Sequence, residues 1–163
     1  MASGAKILTL CIIGRPREVL LGMKKRGFGE GRWNGFGGKV QEGERIEDAA
    51  RREVLEEAGL IANKLEKVGL INFEFEDGSS PREVYVFTCQ NFSGEPVESE
   101  EMRPEWFSTD SLPLDDMWPA DRHWLPLVIQ RKKIHGRFLY DKPSTPEYTS
   151  VIIEKTLQEV EEV

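Results

Sequence analysis

The chain is predicted to fold as an α/β sandwich of the α+β kind. Two observations lead there: alternating apolar segments recur along most of the chain, and two segments with helical spacing are mixed among them. A length of 163 residues, 39% of them hydrophobic, suits one compact domain spanning residues 1–163.

Lys6–Ile13 and Arg17–Met23 are rich in Ile, Leu and Val and are separated by Gly14-Arg15-Pro16, which makes them two strands joined by a turn. Arg26–Gly38 follows, with six glycines around Phe28, Trp33, Asn34 and Phe36; that density implies a backbone in close approach to something. From Ile46 to Leu60 the spacing turns helical. Ile46, Ala49, Ala50, Val54 and Leu55 recur mostly three to five apart, and Gly59 supplies a C-terminal stop. Alternation returns in Lys67–Glu76, where Val68, Leu70 and Asn72 oppose Ile71, Phe73 and Phe75, and again in Glu83–Cys89, with a turn at Asp77–Pro81 between them. Met102–Ser108 reads as a further strand, Trp118–Lys133 as a second helix, and a short strand runs through Phe138 and Tyr140. Val151–Val160 fits both periods: Ile153, Leu157 and Val160 have helical spacing, while Val151, Ile153 and Leu157 share one face of a strand.

Charge narrows the ligand class. Lys plus Arg number 22 against 29 Asp plus Glu, a formal charge of −7, so polymeric nucleic acid, which is held by cationic contacts to its phosphates, is not an expected partner. A small phosphorylated ligand stays compatible if metal ions bridge carboxylates to phosphates. Cys11 and Cys89 lie in alternating apolar stretches and form no CxxC pair, as buried free thiols of a reducing compartment do. No apolar run nears the ~20 residues of a membrane span. Ile7–Ile13 is at the short end for a signal peptide and no cleavage site follows it. A cytosolic monomer without a membrane partner is expected, with nuclear and mitochondrial pools left open.

The informative segment is Gly38–Leu60. Glu53, Glu56 and Glu57 stand at i, i+3 and i+4, which on a helix puts three carboxylates on one face within a turn of each other. A solvated face alternates signs at i and i+4, whereas Glu53 and Glu57 form a like-charge pair, and Glu44 adds another carboxylate just ahead of the helix. An oxygen-seeking divalent cation is the natural stabiliser. On spacing alone, a helix end decorated with glutamates for solubility is the commoner pattern.

The whole string decides between them. Gly38, Glu44 and then Arg52-Glu53-Val54-Leu55-Glu56-Glu57-Ala58-Gly59-Leu60 match all nine defined positions of a 23-residue frame, G-x5-E-x7-R-E-U-x-E-E-x-G-U with U aliphatic. This resembles the Nudix box. The resemblance implies an αβα sandwich, a mixed sheet flanked by the box helix and a second helix, and Mg²⁺-dependent hydrolysis (with Mn²⁺ able to substitute) of a nucleoside diphosphate linked to another group. It makes Glu53, Glu56 and Glu57 the metal-binding and catalytic face, adds the Gly37 carbonyl as a ligand, has Arg52 orient the glutamates and Glu44 hold the loop. Gly38-Lys39 is not a P-loop, since Val40 replaces the needed Ser or Thr.

Outside the box, Leu20–Gly29, Arg32–Glu44, Val97–Pro104 and Asp116–Pro119 resemble the MutT-homologue branch, which hydrolyses oxidised purine nucleoside triphosphates. That branch has a closing strand at its C-terminus, which favours strand for Val151–Val160. A purine is a flat apolar plate with polar edges, so its pocket combines aromatic walls with a few amides or carboxylates. Phe28, Phe73, Phe75 and Trp118 correspond to the wall, Asn34 and Asp121 to the base-reading groups, and Thr9 to the floor. Lys24 matches a position near the substrate phosphates and Glu101 one that assists metal binding. The plainer alternatives are core packing for Phe73 and Phe75, a solvated loop for Glu101, and surface patches for Lys24-Lys25-Arg26 and Arg131-Lys132-Lys133. His123 and His135 have no ligand spacing.

Two departures bear on substrate choice. The branch carries an acidic pair after Trp-Pro, which here is Ala120-Asp121, and Arg82 falls near a position that is normally apolar. A pyrophosphatase for another modified nucleotide, such as a methylated purine triphosphate, and a non-catalytic nucleotide-binding module are the rival readings; the intact glutamate string speaks against the second.

Overall fold

The computed structural model describes residues 4–27, 29–143 and 150–163. β1 (Lys6–Arg15) and β2 (Glu18–Lys24) form an antiparallel hairpin closed by Pro16-Arg17, with Arg17 at φ 63°, and β2 also pairs with the short β3 (Trp33–Asn34). α1 (Ile46–Ala58) ends on Gly59 in the left-handed conformation (φ 71°), whose N–H donates to the Leu55 carbonyl at 3.0 Å. β4 (Ile61–Phe75) and β5 (Arg82–Ser93) make a long antiparallel pair, β6 (Met102–Ser108) joins β2, a single 3-10 turn covers Leu114–Asp116, and α2 (Asp121–Ile129) leads into β7 (Lys133–Tyr140) and β8 (Ile152–Val160). The strand order is β3-β2-β1-β5-β4-β7-β8, with β6 beside β2. β1 runs parallel to β5 and β4 parallel to β7, the other pairs being antiparallel, so the sheet is mixed as expected.

Side chains leave the sheet on two faces, each covered by one helix. On the first face Cys11, Ile13, Phe87 and Cys89 pack against Ala50, Val54 and Ala58 of α1. On the other, Ile12, Ile71, Val86, Ile134 and Phe138 pack against Ala120, Trp124, Leu125 and Val128 around α2. Both cysteines are buried free thiols, and burial raises their pKa values. Among the described residues no helix is long and apolar enough to cross a membrane.

Several expectations need correction. Leu55 is 54% exposed rather than part of the core stripe; Ala49, Ala50, Val54 and Ala58 form that stripe. Val68 does not oppose Ile71, because the register shift between Lys67 and Gly69 turns both into the core beneath α2. The β4–β5 pair also extends well beyond its alternating segments for the same reason: shifts at Ala62/Lys64 and Lys64/Glu66 spoil the period-2 pattern. The second helix is shorter than Trp118–Lys133. Arg131 takes a left-handed φ of 66° just after it, and Lys133 already belongs to β7. The C-terminal stretch, which fits both periods, is a strand pairing antiparallel with β7.

Candidate active site

The glycine-rich segment runs alongside β1 on the edge opposite β5. Thr9 N–H donates to the Gly38 carbonyl at 2.9 Å, Phe36 N–H to the Cys11 carbonyl at 3.0 Å, and Val40 N–H to the Ile7 carbonyl at 3.0 Å. The glycines answer a close approach. A Cβ on Gly37 would overlap the Thr9 carbonyl and lie 2.9 Å from Leu10 Cα, and one on Gly38 would meet Glu53 Oε1 at 2.6 Å. The loop is thus pressed between β1 and the carboxylates of α1.

Glu57 reaches into this loop, its Oε1 accepting the Gly37 N–H at 2.9 Å. Burial pushes its pKa up to about 8, and the neighbouring Glu53 charge adds to the rise, while Gly37 N–H and Lys24 oppose it. Glu53 is also raised, chiefly by burial. Arg52 gathers the other acids. Its Nε and one terminal nitrogen grip both oxygens of Glu44 (2.8 and 3.0 Å), and that nitrogen also bonds the Lys39 carbonyl (3.1 Å). The second terminal nitrogen holds Glu53 at 2.8 Å and Glu56 at 3.4 Å. The Glu44 carboxyl is held below its ordinary range by this grip, and Gln41 N–H adds a bond at 3.0 Å. Arg52 thus ties Glu44, Glu53 and Glu56 to one guanidinium.

As they stand, no three acidic, histidine or cysteine side chains among the described residues converge on one point. The donor chemistry nonetheless fits a hard divalent cation. Every donor is an oxygen, burial raises the pKa of both Glu53 and Glu57, and the Gly37 main chain lies against Glu57. Glu101 comes to the same end of the site: its Oε2 lies 3.4 Å from Lys24 Nζ, and its charge is felt at Glu57. Lys24-Lys25-Arg26 is not a free surface patch, since Lys25 bonds Glu98 and Arg26 bonds Glu100 (3.2 Å), tying the strand end to the acidic loop.

A cavity of about 510 Å³ opens from Glu57, Gly37 and Lys24 and continues over the α2 side of the sheet. Its far part is aromatic, with Phe73, Phe75, Trp118, Trp124 and Tyr140 in the wall, and Thr9 and Asn34 between the two parts. Phe73 and Phe75 both pack on the core and face the cavity. The buried Arg32 guanidinium lies 4.1 Å from the Trp118 ring centre and supports its plane. Asn34 accepts Gly35 N–H at 2.9 Å through its amide oxygen, which leaves its NH₂ group to donate. Thr9 Oγ1 is buried with no hydrogen-bond partner among the described residues. Phe28 lies outside the described residues.

Asp121, only 4% exposed, accepts Trp124 Nε1–H at 3.1 Å through Oδ1, while Oδ2 has no hydrogen-bond partner among the described residues. Burial pushes its pKa up to about 7. Arg82, at the start of β5, is in register with Lys6 of the neighbouring β1, with its Cζ 5.6 Å from the Phe75 ring centre. Arg32, Trp124 and Tyr140 escaped the sequence reading. For Tyr140 a signal existed: Phe138 and Tyr140 repeat the spacing of Phe73 and Phe75, and the parallel β4–β7 register sets each pair directly opposite. His123 contacts Lys155 at 3.1 Å and His135 is exposed; neither faces the cavity.

Fold and site together define a class: a mixed-sheet sandwich whose glycine loop and glutamate-rich helix close one end of a cavity with aromatic walls. The family model described as the NUDIX domain matches residues 6–128, and the chain belongs to that family. Hydrolases of this family generally use divalent metal ions. Over 159 residues, 98% of this chain and 98% of each relative, the chain is 50% identical to proteins named oxidized purine nucleoside triphosphate hydrolase from Mus musculus and Danio rerio. Among solved structures, a MutT protein from Bacillus halodurans superposes with a TM-score of 0.77 at 27% identity, covering 94% of this chain and 97% of that one.

Proposed function

We propose that the protein hydrolyses oxidised purine (deoxy)nucleoside triphosphates, such as 8-oxo-dGTP and 2-hydroxy-dATP, to the monophosphate and pyrophosphate, clearing damaged precursors from the nucleotide pool. One observation carries this reading: a single cavity joins the half-buried Glu57, bonded to the Gly37 loop, at one end to an aromatic slot with the buried Asp121 carboxyl at the other. The half-identical relatives bearing that activity in their names support it.

Mg²⁺, with Mn²⁺ as substitute, would be held by Glu53, Glu56, Glu57 and the Gly37 carbonyl, with Glu101 assisting; when bound it neutralises phosphate charge and polarises the phosphoryl oxygens. The chain's own groups do the rest. Glu57, whose carboxylate is desolvated and basic, takes the proton of the attacking water, with Glu53 the alternative base. Arg52 keeps the glutamates in place and Lys24 sets positive charge against the phosphates. Phe73, Phe75 and Trp118, with Phe28 as the family match implies, sandwich the base. Asn34 and Asp121 read its edge, and Thr9 lines the floor. The protein acts as a monomer on free nucleotides, in the cytosol and in any nuclear or mitochondrial pool it reaches.

Ala120 and Arg82 favour one second reading, in which the altered base pocket prefers another modified purine, such as a methylated one. Comparison of kcat/KM for 8-oxo-dGTP, 2-hydroxy-dATP, methylated purine triphosphates and dGTP separates the two. Oxidised purines should lead the panel, and Glu57→Gln should remain folded while losing most turnover. A wide lead for plain dGTP, or normal turnover in Glu57→Gln, overturns the assignment.

A further inference from the structure

Ala120 is fully buried between Trp118 and Asp121 and brings no polar group to the base-reading end of the cavity. That end is nevertheless not left to Asp121 alone. Tyr140, at the C-terminal end of β7, lines the same cavity, with its ring 6.1 Å from each of Phe73 and Phe75. Tyr140 and Asp121 line this cavity together, and the Asp121 charge is felt at the phenol. The phenol hydrogen is not spent on the neighbouring carboxylate, because Asp121 Oδ2 is without a hydrogen-bond partner among the described residues. The phenol therefore offers a donor beside an orphaned carboxylate oxygen, and both border the same space.

We propose that Tyr140 is a specificity-determining residue, its hydroxyl donating to a carbonyl oxygen on the bound base while Asp121 accepts from the adjacent ring N–H. This rests on the purine reading above and deepens it by naming the edge that is read. A donor next to an acceptor complements a lactam, a C=O beside an N–H. Guanine has one lactam edge, 8-oxoguanine has a second, and unmodified adenine has none.

Titration calorimetry of the full chain with 8-oxo-dGMP and with dAMP tests this without turnover. Tyr140→Phe keeps the ring and deletes only the donor. The ratio of affinities for 8-oxo-dGMP over dAMP should fall about tenfold, the worth of one well-placed hydrogen bond. In a cycle with Asp121→Asn the double variant should lose less than the product of the single losses, because the two groups bind one edge together. A ring needed only for packing would leave both affinities unchanged in Tyr140→Phe. An unchanged ratio in Tyr140→Phe, or strictly independent losses in the cycle, overturns the Tyr140 assignment while wild-type binding of 8-oxo-dGMP still stands. Failure of the wild type to bind either monophosphate overturns the purine reading itself and this inference with it.

Discussion

Gly37→Ala tests whether the loop must press against β1 for the site to exist. The new methyl would overlap the Thr9 carbonyl and come within 2.6 Å of its carbon and 2.9 Å of Leu10 Cα. All three atoms are main chain in the middle of the sheet, so no side chain can swing aside and the loop itself must retreat. A shift of about an ångström breaks the Thr9 N–H bond to Gly38 and the Gly37 N–H bond to Glu57, both 2.9 Å. Overpacking of about 1–3 kcal/mol, with about 1–2 kcal/mol for each lost hydrogen bond, totals roughly 3–7 kcal/mol. In a domain of this size that lowers Tm by roughly 6–28 °C. Gly43→Ala is the control. Its φ of +77° is unfavourable for alanine, a strain that Gly37 does not share, yet nothing lies within 4 Å of the added carbon, so only about 1 kcal/mol of backbone strain applies. Thermal unfolding by circular dichroism, with turnover measured on the same samples, reads both variants. If Gly37→Ala melts within a few degrees of Gly43→Ala and keeps its turnover, the close approach is not what the site depends on.

Glu57 should make the metal-free protein less stable as pH rises. Its folded pKa of about 8 lies above the ordinary 4.5, so its contribution is complete below about pH 4.5 and is lost as pH climbs through 8. At ~1.4 kcal/mol for each tenfold change in proton affinity, the loss reaches up to about 5 kcal/mol. In chelator, Glu57→Gln should therefore gain Tm over the wild type toward pH 9, and a gap that stays constant with pH refutes the shift. Asp121, pushed up to about 7, adds a slope of the same sign in both proteins. Arg52→Lys keeps one charge but loses the two-pronged grip on Glu44 and the simultaneous hold on Glu53. Steady-state kinetics should show kcat down about 10- to 100-fold with KM little changed. Leu55→Gln should alter stability by less than about 0.5 kcal/mol, whereas Val54→Ala, fully buried one residue away, should cost about 2 kcal/mol in a denaturant titration.

Much of the sheet was legible because its central strands carry one apolar face toward each helix; Val84 and Val86 against Tyr85 and Phe87 in β5 are the clearest case. β4 was only half legible, since its bulges swap faces midway and alternation is the signal being read. β8 stayed ambiguous for another reason. It is an edge strand exposed over most of its length, so burial scarcely selects its pattern. At the site, the glutamate string and its arginine could be read from local spacing. The salt links of Lys25 and Arg26 with the acidic loop could not, because their partners lie more than seventy positions away along the chain. Nor could the depth at which Arg32 is buried beside Trp118, since an arginine among glycines looks like a surface residue until the fold places it.

The two sheet faces divide the labour of the molecule. The glutamates and their arginine belong to α1 on one side, whereas Ala120, Asp121, Tyr140 and Arg82 come from α2, β7 and β5 on the other. With the roles proposed for these residues, mutation on the α2 side can remodel the recognised nucleobase without touching the glutamate face. A lineage can acquire new substrates one wall residue at a time while every intermediate still cuts phosphoanhydrides.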